Sequence, residues 1–513
     1  MSDLAARLDL WTTEASERIR RLAVAPVVER IGRIVHVGDG VARVVGLPDA
    51  ALDELLELPD GTMAQAVELG KNQIGCVLLD STTRAAAGQI VRGTGRVVEV
   101  PVGDALLGRI VDPLGRPLDD GGPIAVDHFE PADRPAPAII DRAPVVVPLE
   151  TGTAVVDAMF AIGRGQRELI IGDRSTGKTT LAVDAIINQR DSDVFCVYVA
   201  IGQRASAVKR VIEQVREHGN PRRCLFVVAD AEHAAPGLQW LAPYAGFTMA
   251  EHFARSGRDV LIVIDDLTKH ADVHRQLSLL LRQPPGREAF PGDIFYVHAR
   301  LLERAAKLHQ RCGGGSVTAL PIAETQEGNL SAYIPTNLIS ITDGQIVLDA
   351  KLFHAGQKPA VDVGLSVSRV GGKTQKPAMR TLAEPLRLAY AQFLELEVFT
   401  HFGGISDERT RKVVEHGRRI RAVLSQVQMQ PQPFALQVAM LLALADGTLD
   451  RLPAERMTSF RVALADALEN RRGAIARLRN TGQIDDTCRT ELRNLIELAA
   501  GPASPPEAEA PHV

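Results

Sequence analysis

The octapeptide Gly172-Asp173-Arg174-Ser175-Thr176-Gly177-Lys178-Thr179, between the apolar run Leu169-Ile170-Ile171 and a helix-period stretch at 181–187, constrains this chain more than any other feature. It fits G-x-x-x-x-G-K-[ST] in the strand–loop–helix context that gives the pattern its meaning. Such a loop wraps a phosphate with backbone N–H groups aided by the helix N-terminus, Lys178 neutralises the outer phosphates, and Thr179 is placed to ligate magnesium. A strand that ends in such a turn and restarts as a helix belongs to an α/β layer. Around it, β runs at 168–171, 195–200, 225–229 and 260–264 alternate with helical patterns as far as about residue 368. That alternation predicts a mostly parallel sheet.

A phosphate loop works with an acid at the end of a buried strand. Val260-Leu261-Ile262-Val263-Ile264-Asp265 supplies one, so Asp265 joins Thr179 as a candidate magnesium group. Hydrolysis also needs a group that orients or deprotonates water, expected at the end of the strand beside the phosphate-loop strand. Val197-Tyr198-Val199-Ala200-Ile201-Gly202 leads there to Gln203, whose amide has no useful basicity. The site reads as one that holds nucleotide rather than turning it over, although an amide can still orient water.

The other segments differ in texture. Residues 4–22 place Leu4, Leu8, Trp11, Ala15, Ile19 and Leu22 on one stripe of a charged helix, which needs a cover from its own chain or from a partner helix. Residues 27 to about 100 are short β-branched runs. Arg33–Val37 and Val41–Val45 flank Gly38-Asp39-Gly40 as a hairpin, and a further pair of runs flanks Gly93-Thr94-Gly95, together predicting a small β-barrel without a catalytic constellation. Residues 112–148 are rich in Pro, Gly and Asp and are expected to wrap a surface. From Thr381 the spacing of Leu386, Ala389, Phe393 and Leu396 is helical, and residues 501–513 are Pro-, Ala- and Glu-rich, predicting disorder. The resulting division is an amino-terminal helix over 1–25, a barrel over 26–95, a P-loop nucleotide-binding domain over 96–375, a helical domain over 376–500 and a tail over 501–513.

Several classes are disfavoured by composition. At 513 residues the chain is expected to hold several domains, and 45% hydrophobic with 24% charged residues is ordinary for globular proteins. With 58 basic and 63 acidic residues, the net charge of −5 has the wrong sign for a chain whose main partner is nucleic acid, and 4% aromatic residues are few for base stacking. The apolar run 438–445 is far shorter than the roughly 20 residues of a membrane-crossing helix. Asp3, Asp9 and Glu14 stand where a secretory signal would be basic, so none is expected. Cys76, Cys196, Cys224, Cys312 and Cys488 form no CxxC, which points to a reducing compartment without thiolate metal sites.

The phosphate loop, Tyr198-Val199-Ala200-Ile201-Gly202-Gln203, Asp265-Asp266-Leu267-Thr268-Lys269, Pro284-Pro285-Gly286-Arg287-Glu288-Ala289-Phe290-Pro291-Gly292-Asp293 and Ser366-Val367-Ser368-Arg369-Val370-Gly371-Gly372 together resemble the α subunits of F-type ATP synthases over roughly residues 1–500. The catalytic β subunits of that family carry glutamate where this chain has Gln203. The resemblance implies a β-barrel crown, a RecA-type nucleotide domain and a helical carboxy-terminal domain. It further implies a non-catalytic, regulatory subunit that binds ATP or ADP with Mg2+. Three such chains would alternate with three β subunits around a central γ stalk, with the amino-terminal helix on the peripheral stalk and its delta-type subunit. Such a complex works on the cytoplasmic face of the bacterial inner membrane, and the chain meets the membrane only through it.

The resemblance also assigns residues. Arg369, by sequence alone a residue after a β run at 361–367, becomes the arginine that reaches the γ-phosphate held by the neighbouring β subunit. Gln426 and Gln428 match a pair contacting the adenine of the non-catalytic nucleotide, and residues 284–293 match the sleeve in which the central stalk turns. Ser175 in place of a usual Gln, a shortened segment at 307–316, Lys373, His270 and His274 depart from mainstream members, marking a divergent bacterial α subunit. The rival readings are a Rho-type hexameric nucleic-acid motor, disfavoured by charge and aromatic content, and a catalytic secretion-system or vacuolar-type ATPase, disfavoured by Gln203.

Overall fold

The computed structural model describes residues 29–80, 84–126, 128–400, 408–469 and 471–501. The helix expected over 1–25, with its apolar stripe, and the tail beyond Gly501 lie outside those residues.

Six antiparallel strands close into a barrel: Arg30–Gly38, Val41–Val45, Ile74–Leu78, Met63–Leu69, Glu54–Glu57 and Ile90–Val97, in that spatial order. Alternation puts Ile34, Ala42, Val44, Leu56, Ala66, Cys76 and Val91 inside. The expected hairpin is present, with Val37 opposite Ala42 and Asp39 and Gly40 at φ of 53° and 84° in its turn. Gly93-Thr94-Gly95, by contrast, does not separate two runs. It lies within the single strand Ile90–Val97, which pairs on both sides. The two glycines make room for a buried ion pair there. Glu54 is 2% exposed, accepts from Arg30 at 2.7 Å and from the Gly95 amide at 2.7 Å, and any Cβ on Gly95 would lie 2.7 Å from that guanidinium.

The barrel rests on the nucleotide domain through Val41 and Val77, which meet Val273, Leu277 and Leu281 at the end of helix Leu267–Leu280. The crossover that follows contributes a short ribbon, Glu99–Pro101 with Phe129–Pro131, and the edge strand Ile110–Val111 of the central sheet.

The central sheet has eight strands in the order Val367–Ser368, Gly344–Leu348, Leu169–Gly172, Ser316–Glu324, Asp259–Asp265, Phe195–Ile201, Cys224–Ala229 and Ile110–Val111. All pairs are parallel except the first, which is antiparallel. Both faces are covered, as a parallel sheet requires. Along one strand Val197, Val199 and Ile201 enter the core beneath helix Pro236–Arg255, while Cys196, Tyr198 and Ala200 enter the opposite one. The run expected at 361–367 is not a strand. Val361 makes one isolated bridge, a turn follows in which Asp362 accepts from the amides of Gly364 and Leu365, and only Val367–Ser368 pairs. All five cysteines are unpaired.

The second of those cores continues without a break into the carboxy-terminal helices Pro377–Thr400, Glu408–Leu424, Phe434–Ala445, Met457–Glu469, Ala474–Thr481 and Asp486–Ala500. Leu386 and Phe393 are buried in it, and Ala389 and Leu396 lie against it, as their spacing predicts. Helix Phe434–Ala445 is apolar all round because other elements surround it.

Helices Pro377–Thr400 and Glu408–Leu424 touch where Gly417 faces Phe393, and a Cβ there would lie 2.0 Å from the fully buried ring. Gly417→Ala is therefore expected to destabilise the helical domain by about 1–3 kcal/mol through overpacking, despite alanine's better helix propensity. A thermal midpoint equal to or above wild type in calorimetry would contradict that contact.

Candidate functional site

The phosphate loop begins where Leu169–Gly172 ends, and helix Lys178–Asn188 begins after it. Gly177 precedes that helix at φ 99°, a conformation that favours glycine, and Ser175 stands at the exposed tip at φ 64°. The buried Lys178 ammonium donates to the carbonyls of Gly172 and Asp173 at 2.9 and 2.6 Å, folding over the loop. Desolvation holds its pKa below the usual lysine value, against nearby carboxylates led by Glu324. Asp173 ties the loop down by accepting from the Thr325 hydroxyl at 2.6 Å and the Gly328 amide at 2.8 Å.

Asp265 is the hub. Its Oδ2 accepts from the Thr179 hydroxyl at 2.7 Å and from the Tyr198 hydroxyl at 2.8 Å, and its Oδ1 accepts from the Gln203 amide at 2.7 Å. Burial pushes this carboxyl above the ordinary range, and the hydrogen bonds from Thr179 and Tyr198 oppose the shift. Asp266 caps helix Leu267–Leu280 through the Lys269 amide, and burial followed by the charge of Asp265 pushes it up to about 7. Gln203 is held on both sides, because its Oε1 accepts from the Lys269 ammonium at 2.6 Å. The residues predicted from the loop and from Asp265 therefore meet. The paired Thr179 hydroxyl and Asp265 carboxylate are oxygen donors suited to magnesium.

One expectation about Gln203 needs correction. Its strand is not beside the phosphate-loop strand, because Ser316–Glu324 and Asp259–Asp265 lie between them. A parallel sheet can insert later strands between earlier ones, so order in sequence is not order in space. Of the two strands that do neighbour the loop strand, Ser316–Glu324 ends in Glu324, register partner of Gly172 and 3.6 Å from Arg174. Sequence reasoning missed Glu324, although an apolar run ending in a carboxylate is the signal that found Asp265.

A cleft beside the loop is lined by Thr176, Gly177, Thr180, Phe353, Gln426 and Gln428, among others. The glutamine pair is thus brought to the loop from the far end of the chain, with unequal duties. Gln426 is buried and spends its amide on the Gly152 and Gln430 carbonyls and the Ala154 amide, whereas Gln428 is exposed.

Arg369 lies elsewhere. Ser368 pairs with Gly344 at the start of strand Gly344–Leu348, while Gly172 pairs with Leu348 at its end. Four residues at about 3.3 Å each separate the two levels by roughly 13 Å. The exposed Arg369 guanidinium donates to the Thr342 and Ile339 carbonyls at 3.1 and 3.4 Å and forms no ion pair among the described residues.

The loop 284–293 is exposed apart from Phe290 and Pro291, with Arg275 stacked 4.5 Å from the centre of the Phe290 ring. His274 reaches Asp293 at 3.0 Å. Behind it His270 and His298 are fully buried. His270 Nε2 faces the Trp240 carbonyl at 3.0 Å and must donate, so its Nδ1 accepts from His298 Nε2 at 3.3 Å. Burial pushes His270 down to about 3 and His298 well below its usual value, so both rings are neutral fillers of the helix interface. Ser175 and Lys373 make no side-chain contact that explains their departure from the expected pattern. The short segment 307–316 closes on itself through the Leu308 amide and the Gly315 carbonyl at 2.9 Å.

Asp184 lines the cleft and accepts from the Met429 amide at 2.9 Å, and burial pushes its carboxyl up to about 6. Between about pH 4 and that value the folded chain holds a proton that the unfolded chain releases, so stability falls as pH rises through this window. Asp184→Asn keeps an acceptor for Met429 and removes the charge. It is expected to be more stable than wild type by about 1–3 kcal/mol at pH 8, with the gain gone by about pH 4. Parallel thermal midpoints across that range would show that Asp184 is an ordinary solvated carboxylate.

Comparison with known proteins places the whole chain. Residues 27–95 match the ATP synthase alpha/beta family, beta-barrel domain; residues 152–368 match its nucleotide-binding domain; residues 375–499 match the ATP synthase alpha/beta chain, C terminal domain. ATP synthase subunit alpha 3 of Paraburkholderia xenovorans (strain LB400) is 55% identical over 507 residues, covering 99% of this chain and 96% of that protein. ATP synthase subunit alpha 1 of the same strain is 59% identical over 460 residues, covering 90% of each. ATP synthase subunit alpha 2 of Burkholderia mallei (strain NCTC 10247) is 58% identical over 465 residues, covering 91% of this chain and 69% of that protein. Among the described residues no helix is long and apolar enough to cross a membrane. With barrel, P-loop sheet and helical domain in this order, and relatives of this similarity along nearly its full length, the chain belongs to the ATP synthase alpha/beta family, among its alpha subunits.

Proposed function

We propose that this chain is the non-catalytic, nucleotide-holding subunit of an F-type ATP synthase and that it completes the active site of a neighbouring β subunit. The observation that carries this reading is the placement of Arg369. It is exposed and unpaired by carboxylate among the described residues, and it stands at the opposite end of a strand from its own phosphate loop. A guanidinium there is out of reach of its own nucleotide and is presented to an adjacent chain. Phosphoryl transfer depends chiefly on positioned charge, which an arginine can supply across an interface.

In its own site, Lys178 and the loop amides hold the phosphates of ATP or ADP. Thr179 and Asp265 hold Mg2+, which neutralises phosphate charge when bound, and Gln426 and Gln428 flank the base. Gln203 cannot take a proton from water, being an amide fixed between Asp265 and Lys269. Glu324 is drawn toward Arg174. In the assembly, residues 284–293 face the central γ stalk and the amino-terminal helix meets the peripheral stalk, on the cytoplasmic face of the bacterial inner membrane.

The purified chain is expected to bind MgATP with negligible turnover, and Lys178→Ala to lose nucleotide retention in equilibrium dialysis. Robust hydrolysis by the isolated chain would overturn the non-catalytic reading, and its loss in Glu324→Gln would identify the base. In a complex reconstituted with β subunits, Arg369→Ala is expected to cut steady-state ATP hydrolysis by about 10³–10⁵-fold. Assembly by sizing and nucleotide binding should change far less, because the benefit belongs to the transition state. A drop below about tenfold would leave Arg369 as a surface residue worth about 0–1 kcal/mol.

A further inference from the structure

At the end of the sheet opposite the phosphate loop, three side chains converge for which the proposed activity has no use. We propose that His128, Glu130 and His252 form a binding site for one divalent transition-metal ion of the zinc class, tying the crossover ribbon to helix Pro236–Arg255. His128 and Glu130 are two apart on an extended segment and so share a face, and His252 comes from the last turn of the helix.

The geometry is that of a ligand set. Glu130 Oε1 lies 3.4 Å from His128 Nε2 and 3.3 Å from His252 Nδ1, and the three donor atoms all fall within 4.8 Å of one another. Ligands at 2.0–2.1 Å around a tetrahedral ion are separated by about 3.3–3.4 Å, so two edges already have the required length. Closing the third needs only rotation of His128, whose side chain is 66% exposed. The same exposure provides an entry path and a fourth position for solvent.

The carboxylate is divided between two duties. Its Oε2 accepts from Arg134 and Arg255, while its Oε1 faces the imidazoles. The arginines thus orient the oxygen that would ligate, as outer partners of metal ligands commonly do. They also oppose an added cation, partly offset by the negative end of the helix dipole beside His252. The expected affinity is therefore lower than that of a closed structural zinc site. Two imidazoles with one carboxylate suit zinc, nickel or cobalt and do not suit the magnesium of the nucleotide site.

The test uses the full chain stripped with chelator, kept reduced, and dialysed at pH 7.5 against micromolar zinc with excess magnesium. Wild type should retain one zinc per chain more than His128→Ala or His252→Ala, with affinity falling about tenfold or more in each variant by competition with a chromophoric chelator. His128→Ala changes an exposed side chain, and unchanged nucleotide retention confirms its fold. Cobalt should give the intense visible absorption of a four-coordinate ion in wild type alone. Equal zinc in wild type and both variants, or displacement of the ion by magnesium, would overturn the site and leave a hydrogen-bonded surface cluster.

Discussion

The carboxylate of Asp265 is the point on which the nucleotide site depends. It receives hydrogen bonds from Thr179 on the loop helix, Tyr198 in the middle of one strand and Gln203 beyond that strand's end. Removing this acceptor would leave the buried Tyr198 hydroxyl without a partner, at a cost of about 1–3 kcal/mol, and would release Thr179, while the Gln203 amide nitrogen would keep only its 3.2 Å contact to Asp266. Helix, sheet and the fixed amide therefore keep one register relative to one another.

The sheet holds the phosphate loop and Arg369 at opposite ends. Strand Gly344–Leu348 pairs with the phosphate-loop strand from Gln345 to Leu348, so the loop leaves at its carboxy-terminal end, while Val367–Ser368, just before Arg369, pairs at its start. The antiparallel addition of Val367–Ser368 is what sends the arginine away from its own loop. A parallel strand in the same place would have carried the following residues toward the loop. One topological choice thus places Arg369 at the end of the sheet away from its own phosphate loop, as the proposed role across an interface requires.

Glu54 in the barrel and the His270–His298 pair illustrate how buried polarity is tolerated in the flanking regions. Glu54 is surrounded by the Arg30 guanidinium and the backbone amides of Ala51 and Gly95. The histidines have no carboxylate partner and stay neutral, each nitrogen's role set by the single carbonyl of Trp240. Both arrangements keep buried charge paired or absent, although the His298 Nδ1 atom has no partner among the described residues.

What the sequence determined by itself was local chemistry and periodicity. The phosphate loop, the Asp265 strand, the Gly38–Gly40 hairpin and the helical spacing from Leu386 to Leu396 are each written within a few residues, because turn geometry and side-chain period are short-range properties. Long-range order was not legible. Nothing in the sequence around Gln203 says that two later strands intervene between its own strand and the loop strand, and nothing near Ala323-Glu324 says that its strand lies directly beside it. The runs around Gly93-Thr94-Gly95 and at 361–367 carry strand-like residues, yet the first is one strand paired on both sides, its glycines making room for Glu54 and Arg30, and most of the second is a turn held by Asp362. The convergence of His128, Glu130 and His252, from two distant segments of the chain, was likewise decided only by packing the crossover ribbon on a helix. Local pattern specifies which elements form; which of them touch follows from burying both faces of one sheet at once.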